Sequence, residues 1–451
     1  MALGKNDEIK LNIDCVTPLG SALGRYNGMA VFVNNAVPGD EIIAHIIKTT
    51  KNYAVGVVKE ILSPSAFRIV SDCPVSDKCG GCSFRNMDYK AELAAKKDFV
   101  QQNIRRIGHL DLAVSEIVGT DDTLHYRNKA QYAVRIENGA FTAGFYAFKS
   151  HRVIPADNCR IQPKDFERGI RAFEKWALES GVDSYDEKTG KGLLRHIYFR
   201  KAFATGEIMV CAVINGETLP KSEYLVSLLK NALPNLKSAA VNINKDKTNV
   251  ILGTKTKIIW GSDKITDILL GKKFVISPES FYQVNHDQCE KLYSCVAEFA
   301  ELTGCETMLD MYCGAGTIGL TLSDKCKMLY GVEIVESAVK NARVNAEING
   351  IENAEFICAD AFEGAKILTD KGVKPDVVIV DPPRKGCQKE LFDVIECLGA
   401  EKIVYVSCNS ATLARDLEIL NKKGYRPERL KAFDLFPRTA HVESCCLLVK
   451  E

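Results

Sequence analysis

The sequence predicts an α/β protein whose C-terminal third is a doubly wound, mostly parallel sheet. Three observations favour this fold: short apolar runs alternate with helical stretches, a glycine-rich loop follows the first run, and polar side chains stand where the runs end. Such a sheet carries its chemistry at the carboxyl ends of its strands. The predicted strands are 307–312, 328–334, 354–359, 376–380 and 402–407, followed by a final pair at 429–436 and 442–449.

Length and composition limit the class of protein. A chain of 451 residues is too long for one core and suggests about three domains. No apolar stretch reaches the ~18 residues that a membrane-spanning helix needs, and Met1–Glu8 lacks the apolar core of a signal peptide. We expect a cytoplasmic protein without membrane contact that acts as a monomer. The net charge of +1 means that any contact with nucleic acid depends on local basic patches.

Two further domains are predicted before the C-terminal domain, which spans 271–451. Residues 1–62 alternate apolar and polar positions around turns, as in a small β-barrel, a fold that often binds oligonucleotides. A packing appendage is the alternative for this segment. Residues 63–270 are predicted to form a central α+β domain. Its predicted elements are a helix from about Tyr89 to Ile107, strands over most of 125–270 and a second helix near 165–180.

The glycine-rich loop predicts a cofactor site. Gly314, Gly316 and Gly319, with Glu333 at the end of the next strand, satisfy the dinucleotide fingerprint. A nicotinamide or flavin enzyme is therefore one alternative.

Three aspartates favour S-adenosylmethionine over a dinucleotide. Asp310 precedes the loop, where a carboxylate opposes the cationic methionine end of this cofactor but repels a pyrophosphate. Asp360 follows the third strand, in a position to meet the adenine amino group. Asp381, in the sequence Asp-Pro-Pro, ends the fourth strand and places a rigid turn beside the reaction centre.

A cysteine and a glutamate predict the chemistry. Cys408 ends the fifth strand, and Glu443 begins the last strand. If the last two strands form a hairpin, the returning strand starts where its parallel neighbours end, which places Glu443 beside Cys408. A thiolate that adds to uracil C6 makes C5 nucleophilic, and a base must then remove the C5 proton. A buried cysteine and a solvated glutamate are the alternatives, and Cys387 is interpreted as incidental.

A second group of cysteines predicts a metal site. Cys73, Cys79 and Cys82 form the spacing C-x5-C-G-G-C, and Cys159 is the nearest later candidate for a fourth ligand. With 17 cysteines in a reducing compartment, metal binding, catalysis and burial are favoured over disulfide bonds. An iron–sulfur cluster and a four-thiolate zinc site are both compatible with this spacing.

Taken together, these motifs resemble the bacterial 23S ribosomal RNA uracil-5-methyltransferases over nearly the whole chain. The resemblance implies an RNA-binding TRAM barrel in the first ~62 residues and a [4Fe-4S] cluster on the four cysteines. It implies S-adenosylmethionine-dependent formation of 5-methyluridine, with Cys408 as nucleophile and Glu443 as base. The cofactor-binding residues that it implies are Gln283, Tyr312, Gly314, Glu333, Asp360 and Asp381.

The resemblance also bears on the substrate. Bacterial transfer-RNA relatives lack the barrel and the cluster, so 23S ribosomal RNA is the expected partner and a transfer RNA the alternative. Different classes, an iron–sulfur dinucleotide oxidoreductase or a non-catalytic RNA-binding protein, remain open. One departure is that Ser410 stands where many relatives have proline after the nucleophile motif. The candidates for RNA contact are Tyr126, Arg127, Lys129 and Arg195.

Overall fold

A computed structural model describes residues 3–451. In these residues the strands form a closed five-stranded barrel, a seven-stranded sheet, an eight-stranded sheet and a separate two-stranded hairpin. None of the helices in this range is long and apolar enough to cross a membrane.

The N-terminal barrel is confirmed. Its strands follow the order β1-β2-β3-β5-β4, and along β1 every second side chain from Ile9 to Ile13 is buried. Gly24 of β2 is required where this strand pairs with β1, because a Cβ there would lie 2.3 Å from the carbonyl oxygen of Asn12. The strands are β1 (Glu8–Val16), β2 (Ala22–Tyr26), β3 (Met29–Asn34), β4 (Glu41–Thr49) and β5 (Tyr53–Ser63).

The central sheet has the order β13-β12-β11-β10-β7-β8-β9. The elements from the barrel to the C-terminal domain are α1 (Tyr89–Arg106), β6 (Glu116–Val118), β7 (Lys129–Glu137), β8 (Ala140–Tyr146), β9 (Val153–Pro155), α2 (Lys164–Ser180), β10 (Leu194–Lys201), β11 (Ile208–Ile214), α3 (Ser222–Ala232), β12 (Leu236–Ile243), β13 (Lys255–Gly261), β14 (Ile265–Leu269) and β15 (Lys272–Ile276). Both predicted helices are present. The structure adds α3, whose buried Leu225, Val226 and Leu229 follow helical spacing.

The eight-stranded sheet has the order β18-β17-β16-β19-β20-β22-β21-β6, and its predicted strands are present to within a few residues at each end. Its elements are α4 (His286–Ala300), β16 (Thr307–Met311), α5 (Thr317–Leu322), a 3₁₀ turn (Ser323–Lys325), β17 (Met328–Glu333), α6 (Glu336–Ile348), β18 (Ala354–Cys358), α7 (Ala361–Asp370), β19 (Val377–Val380), α8 (Lys389–Leu398), β20 (Lys402–Ser407), α9 (Ser410–Lys422), β21 (Tyr425–Phe433) and β22 (Glu443–Lys450). Two separate apolar cores cover the opposite faces of this sheet, as parallel strands require.

The predicted boundaries 63–270 and 271–451 differ from the packing. β6 pairs in parallel with β21 at the edge of the eight-stranded sheet, and Val100 and Ile104 of α1 lie in the core of that sheet. The hairpin β14–β15 also packs there, through Ile265 and Phe274. These segments bury their apolar faces against the C-terminal sheet, so the C-terminal structural unit includes parts of the predicted central domain.

Candidate active site

A cavity of about 990 Å³ opens at the carboxyl ends of the parallel strands. It is lined by the two residues nominated for catalysis and by the six that the family resemblance implies for cofactor binding. Those residues are Gln283, Tyr312, Gly314, Glu333, Asp360, Asp381, Cys408 and Glu443.

Cys408 and Glu443 lie opposite each other across two strands. β20 and β22 are antiparallel, and Ser407 pairs with Ser444, so the next pair in the register is Cys408 with Glu443. Glu443 is only 4% exposed. The hairpin of β21 and β22 therefore returns the chain to the strand end that carries the thiol, and the two side chains line one cavity.

Burial controls the ionisation of this pair. It raises the pKa of Glu443 to about 8, with a further increase from the charge of Asp381, while Arg384 acts in the opposite direction. Burial and the charges of Glu443 and Asp381 raise the pKa of the Cys408 thiol to about 11, and Arg384 again opposes them. The thiol and the carboxyl group therefore favour their neutral forms unless positive charge enters the cavity.

A third carboxyl group lies beneath the glycine-rich loop. Asp310 is buried, and its Oδ2 accepts a hydrogen bond from the Gly319 amide at 2.9 Å. Its Oδ1 is also buried but has no hydrogen-bond partner within the described part of the chain. Burial raises the pKa of Asp310 to about 8 and that of Asp381 to about 7. The cavity thus suits a cationic ligand, which would stabilise the ionised carboxylates.

The glycine-rich loop needs unusual backbone angles. Tyr312, Gly314 and Gly316 have positive φ values of 64°, 56° and 79°. A Cβ on Gly314 would contact nothing within 4 Å, whereas one on Gly319 would lie 2.9 Å from Asp310 Oδ2. Glycine at 314 thus leaves the loop open towards the cavity, and glycine at 319 lets the helix approach the buried carboxylate.

The remaining cofactor candidates are held by backbone contacts. Glu333 accepts hydrogen bonds from the amides of Gly314 at 3.1 Å and Val335 at 2.8 Å. Asp360 lies two residues beyond β18 and caps α7 through Oδ1, which leaves its Oδ2 available. The carbonyl of Gln283 accepts a hydrogen bond from Asn128 at 2.7 Å. The contacts of Glu333 and Asp360 fix their side chains in the cavity wall, and the contact of Gln283 fixes its backbone.

Ser410 shows how the segment after Cys408 is fixed without proline. It is buried at the start of α9, and its hydroxyl accepts a hydrogen bond at 2.8 Å from Asn103 of α1. The preceding Asn409 caps α9 and donates to the carbonyl of Arg384 at 3.0 Å. The segment after Cys408 is therefore hydrogen-bonded both to α1 and to the backbone of Arg384.

Other cavity residues were not nominated from the sequence. Arg384 is the cation whose charge opposes the rise in the pKa of both Cys408 and Glu443. It directly follows the Asp-Pro-Pro turn, a motif from which the sequence could have nominated it. Phe436 and His441 also line the cavity and make an edge-to-face contact, with ring centroids 5.7 Å apart. Cys387 is buried, does not line the cavity and lies 3.5 Å from the Tyr405 hydroxyl.

Two of the candidates for RNA contact are wrong. Tyr126 is buried and donates its hydroxyl to the carbonyl of Pro437 at 2.9 Å. Arg195 is buried, stacks on Tyr185 and donates to backbone carbonyls of the 244–246 segment. Both side chains are used inside the protein. Arg127 and Lys129 are partly exposed, and Lys129 lines the cavity.

The four cysteines of the predicted metal site converge on a second cavity of about 420 Å³. Cys73, Cys79, Cys82 and Cys159 all line it, and none forms a disulfide bond. Within residues 3–451, however, no three His, Cys, Asp or Glu side chains are arranged to hold a metal ion. Arg85 also lines this cavity, with two buried guanidinium nitrogens that lack acceptors. The four thiols, as ligands, and the unpartnered Arg85 nitrogens suit an anionic metal group.

Comparisons with known proteins show the family to which the chain belongs. Residues 88–451 match the family described as tRNA (Uracil-5-)-methyltransferase. A protein from Clostridium tetani described as an uncharacterized RNA methyltransferase is 43% identical, covering 98% of this chain and 96% of its own. A protein from Clostridium acetobutylicum with a similar description is 42% identical, covering 98% and 97%.

A solved structure is similar over almost the whole chain. The Pyrococcus abyssi tRNA (uracil-54, C5)-methyltransferase in complex with S-adenosyl-L-homocysteine has a TM-score of 0.78 and 28% identity, covering 98% of this chain and 100% of that chain. The methyltransferase α/β fold with an N-terminal barrel is thereby confirmed. The chain belongs to the tRNA (uracil-5-)-methyltransferase family and is an RNA (uracil-5-)-methyltransferase.

Proposed function

We propose that this enzyme methylates C5 of uridine in 23S ribosomal RNA, with S-adenosylmethionine as methyl donor, Cys408 as nucleophile and Glu443 as base. The observation that carries the proposal is the register of β20 and β22, which sets the thiol opposite the carboxyl group at the rim of a large cavity. The carboxyl groups of the cavity support the other requirement, a cationic cofactor.

Cys408 and Glu443 divide the chemistry into addition and elimination. The Cys408 sulfur adds to C6 of the uracil, which gives C5 the character of an enolate carbon. Bound S-adenosylmethionine supplies an electrophilic methyl group to that carbon. Glu443 then takes the C5 proton, the C5–C6 double bond forms again and the sulfur leaves. Arg384 favours the thiolate and the carboxylate, because it lowers the pKa of both groups.

The cofactor-binding residues are proposed from their places in the cavity. Asp310 and Asp381 provide the negative charge that suits a sulfonium and an ammonium group. Glu333 ends β17, where it can accept hydrogen bonds from ribose hydroxyls, and Asp360 offers Oδ2 to an adenine amino group. Gln283, Tyr312 and Gly314 complete the wall around the cofactor. The Pyrococcus abyssi relative, solved with S-adenosyl-L-homocysteine, supports this choice of cofactor.

A transfer RNA is the second candidate substrate. The family description names tRNA, and so does the description of the Pyrococcus abyssi enzyme. That enzyme covers 98% of this chain, so the similarity includes the barrel, and the barrel alone does not separate the two substrates. The proposal of 23S ribosomal RNA rests on the barrel and the four-cysteine site occurring together in one chain.

The substrate is tested with two RNAs and one labelled cofactor. The enzyme is incubated separately with unmodified 23S ribosomal RNA and unmodified transfer RNA, and 5-methyluridine is mapped by mass spectrometry. We expect label at uridine C5 in the ribosomal RNA. The Cys408→Ala variant is the control for contaminating activity. Label in transfer RNA alone would reject the ribosomal substrate while leaving the reaction intact.

We also propose that the four-cysteine cavity holds a [4Fe-4S] cluster. Four unpaired thiols in one cavity supply the ligands, and the unpartnered nitrogens of Arg85 suit a negatively charged cluster. Protein purified without oxygen should contain about four iron and four sulfide per chain. Cys82→Ser should lower both, whereas Cys305→Ser, at an exposed cysteine outside the cavity, should lower neither. Zinc without sulfide would contradict the cluster.

A further inference from the structure

The loop between β21 and β22, residues 434–442, forms part of the cavity wall next to Glu443. Phe436 and His441 in this loop line the cavity, and the loop leads directly into Glu443. We call residues 434–442 the base loop. Glu443, the first residue of β22, follows this loop without a break.

The base loop is held by residues far away in the sequence. Asp434 accepts hydrogen bonds from Tyr89 at 2.8 Å and from the buried Lys96 at 2.7 Å. Lys96 also donates to the carbonyl of Phe436 at 3.2 Å, and it pairs with the equally buried Glu92 at 2.7 Å. Removing one partner of such a buried ionic group leaves an uncompensated charge, so the group resists rearrangement.

Arg438 makes the largest number of these contacts. It has a positive φ of 72°, an angle that is unfavourable for a residue with a side chain and persists only under constraint. Its amide donates to Glu92 Oε1 at 2.7 Å. Its carbonyl accepts from the amides of Ser83 at 2.9 Å and Phe84 at 3.0 Å.

The guanidinium of Arg438 adds a second set of contacts. Its Nη1 donates to the carbonyl of Met87 at 3.0 Å and lies 3.5 Å from Glu92 Oε2. Its Nε donates to the Thr123 hydroxyl at 3.3 Å, and the group lies 5.4 Å from the centroid of the Tyr89 ring. The side chain does not line the cavity. Arg438 therefore joins the base loop to the segment 83–123 without touching the reaction site.

We propose that Arg438 is a positioning residue for Glu443: its bonds to the segment 83–123 hold the base loop so that Glu443 faces C5 of the bound uracil. The proposal rests on the function proposed above. It also connects the four-cysteine cavity to catalysis, since Ser83, whose amide bonds to Arg438, directly follows Cys82.

The step that depends on this position is elimination. The C5–H bond breaks, its proton moves to the Glu443 carboxylate and its electron pair forms the C5–C6 double bond. The C6–S bond breaks as that double bond forms, and its electron pair returns to sulfur. Addition of Cys408 and methyl transfer precede this step and do not require Glu443. A displaced base loop should therefore slow elimination selectively and allow the methylated covalent adduct to accumulate.

The test is the Arg438→Met variant, which removes the guanidinium contacts but keeps a long side chain and the backbone bonds. We expect turnover to fall about 10²-fold, the scale of a misplacement of about 1 Å. Cofactor affinity should be unchanged, and a covalent protein–RNA adduct should appear on denaturing gels. Arg438→Lys should recover part of the turnover, because it can still pair with Glu92. Arg429→Met, at a surface arginine of β21 that pairs with Glu298, should behave like the unchanged enzyme.

The outcomes separate this inference from the proposed function. A turnover of Arg438→Met equal to that of the unchanged enzyme overturns it. A loss of turnover with a lower melting temperature and no adduct also overturns it, because that pattern indicates a purely structural role. If Glu443→Gln traps the adduct but Arg438→Met does not, the role of Arg438 is rejected and the proposed function stands. If Glu443→Gln traps nothing, the proposed function itself fails.

Discussion

Replacing Glu443 by Gln is expected to produce an enzyme that binds its RNA covalently and does not release it. The amide is nearly the same size as the carboxyl group but cannot take the C5 proton. Cys408 can still add to C6 and C5 can still accept the methyl group, so the reaction should stop at the methylated adduct. Turnover should fall by about 10²–10⁴-fold, the usual contribution of a general base.

The adduct can be measured directly as an RNA-dependent shift of the protein on a denaturing gel, with the methyl label in the shifted band. Glu428→Gln is the matched control, because Glu428 pairs with Arg426 on β21 and lies outside the cavity. Normal turnover by Glu443→Gln would reject Glu443 as the base.

The sequence was sufficient to predict how Glu443 reaches Cys408. Each of the strands from β16 to β20 is a short apolar run between helical stretches, so these strands are specified locally. In a hairpin at the end of such a sheet, the second strand has to start at the edge where the parallel strands end. The observed pairing of Ser407 with Ser444 agrees with that expectation, although 34 residues separate the cysteine from the glutamate.

The contacts around the base loop could not be predicted in this way. Glu92 and Lys96 are four residues apart on a helix, a spacing that is typical of exposed ion pairs. The structure buries both of them because Asp434 lies over the helix. β6 has only three residues and carries no periodic pattern, and it joins the sheet through β21. In each case a distant segment decides the environment, and the local sequence does not contain that information.

The same reason explains the wrong assignments of Tyr126 and Arg195. Aromatic and basic residues are common in RNA-binding surfaces, and the sequence cannot tell which face of a strand will be covered. In the structure, Tyr126 is covered by the base loop and Arg195 by the segment that follows β12.

Replacing Cys408 by Ala is expected to abolish methylation, by about 10⁶-fold if the loss resembles removal of other catalytic nucleophiles. Uracil C5 is a poor nucleophile, and it cannot attack the methyl group unless a sulfur has first added to C6. Cys408→Ser should be almost as inactive, because a hydroxyl group ionises far less readily than a thiol. Binding of the cofactor should persist in both variants, since the cavity keeps its carboxylates, and this can be measured by calorimetry.

The decisive measurement combines the two substitutions. Cys408→Ala in the Glu443→Gln background should remove the covalent adduct completely, because among the described residues no other sulfur lines the cavity except that of the buried Cys313 in the glycine-rich loop. Cys387→Ala in the same background should leave the adduct intact, since Cys387 does not line the cavity and contacts Tyr405 instead. An adduct that survives Cys408→Ala but disappears in Cys387→Ala would assign the nucleophile to the loop that follows β19. In that case Glu443 would have lost its partner, and the register of β20 and β22 would no longer explain the reaction.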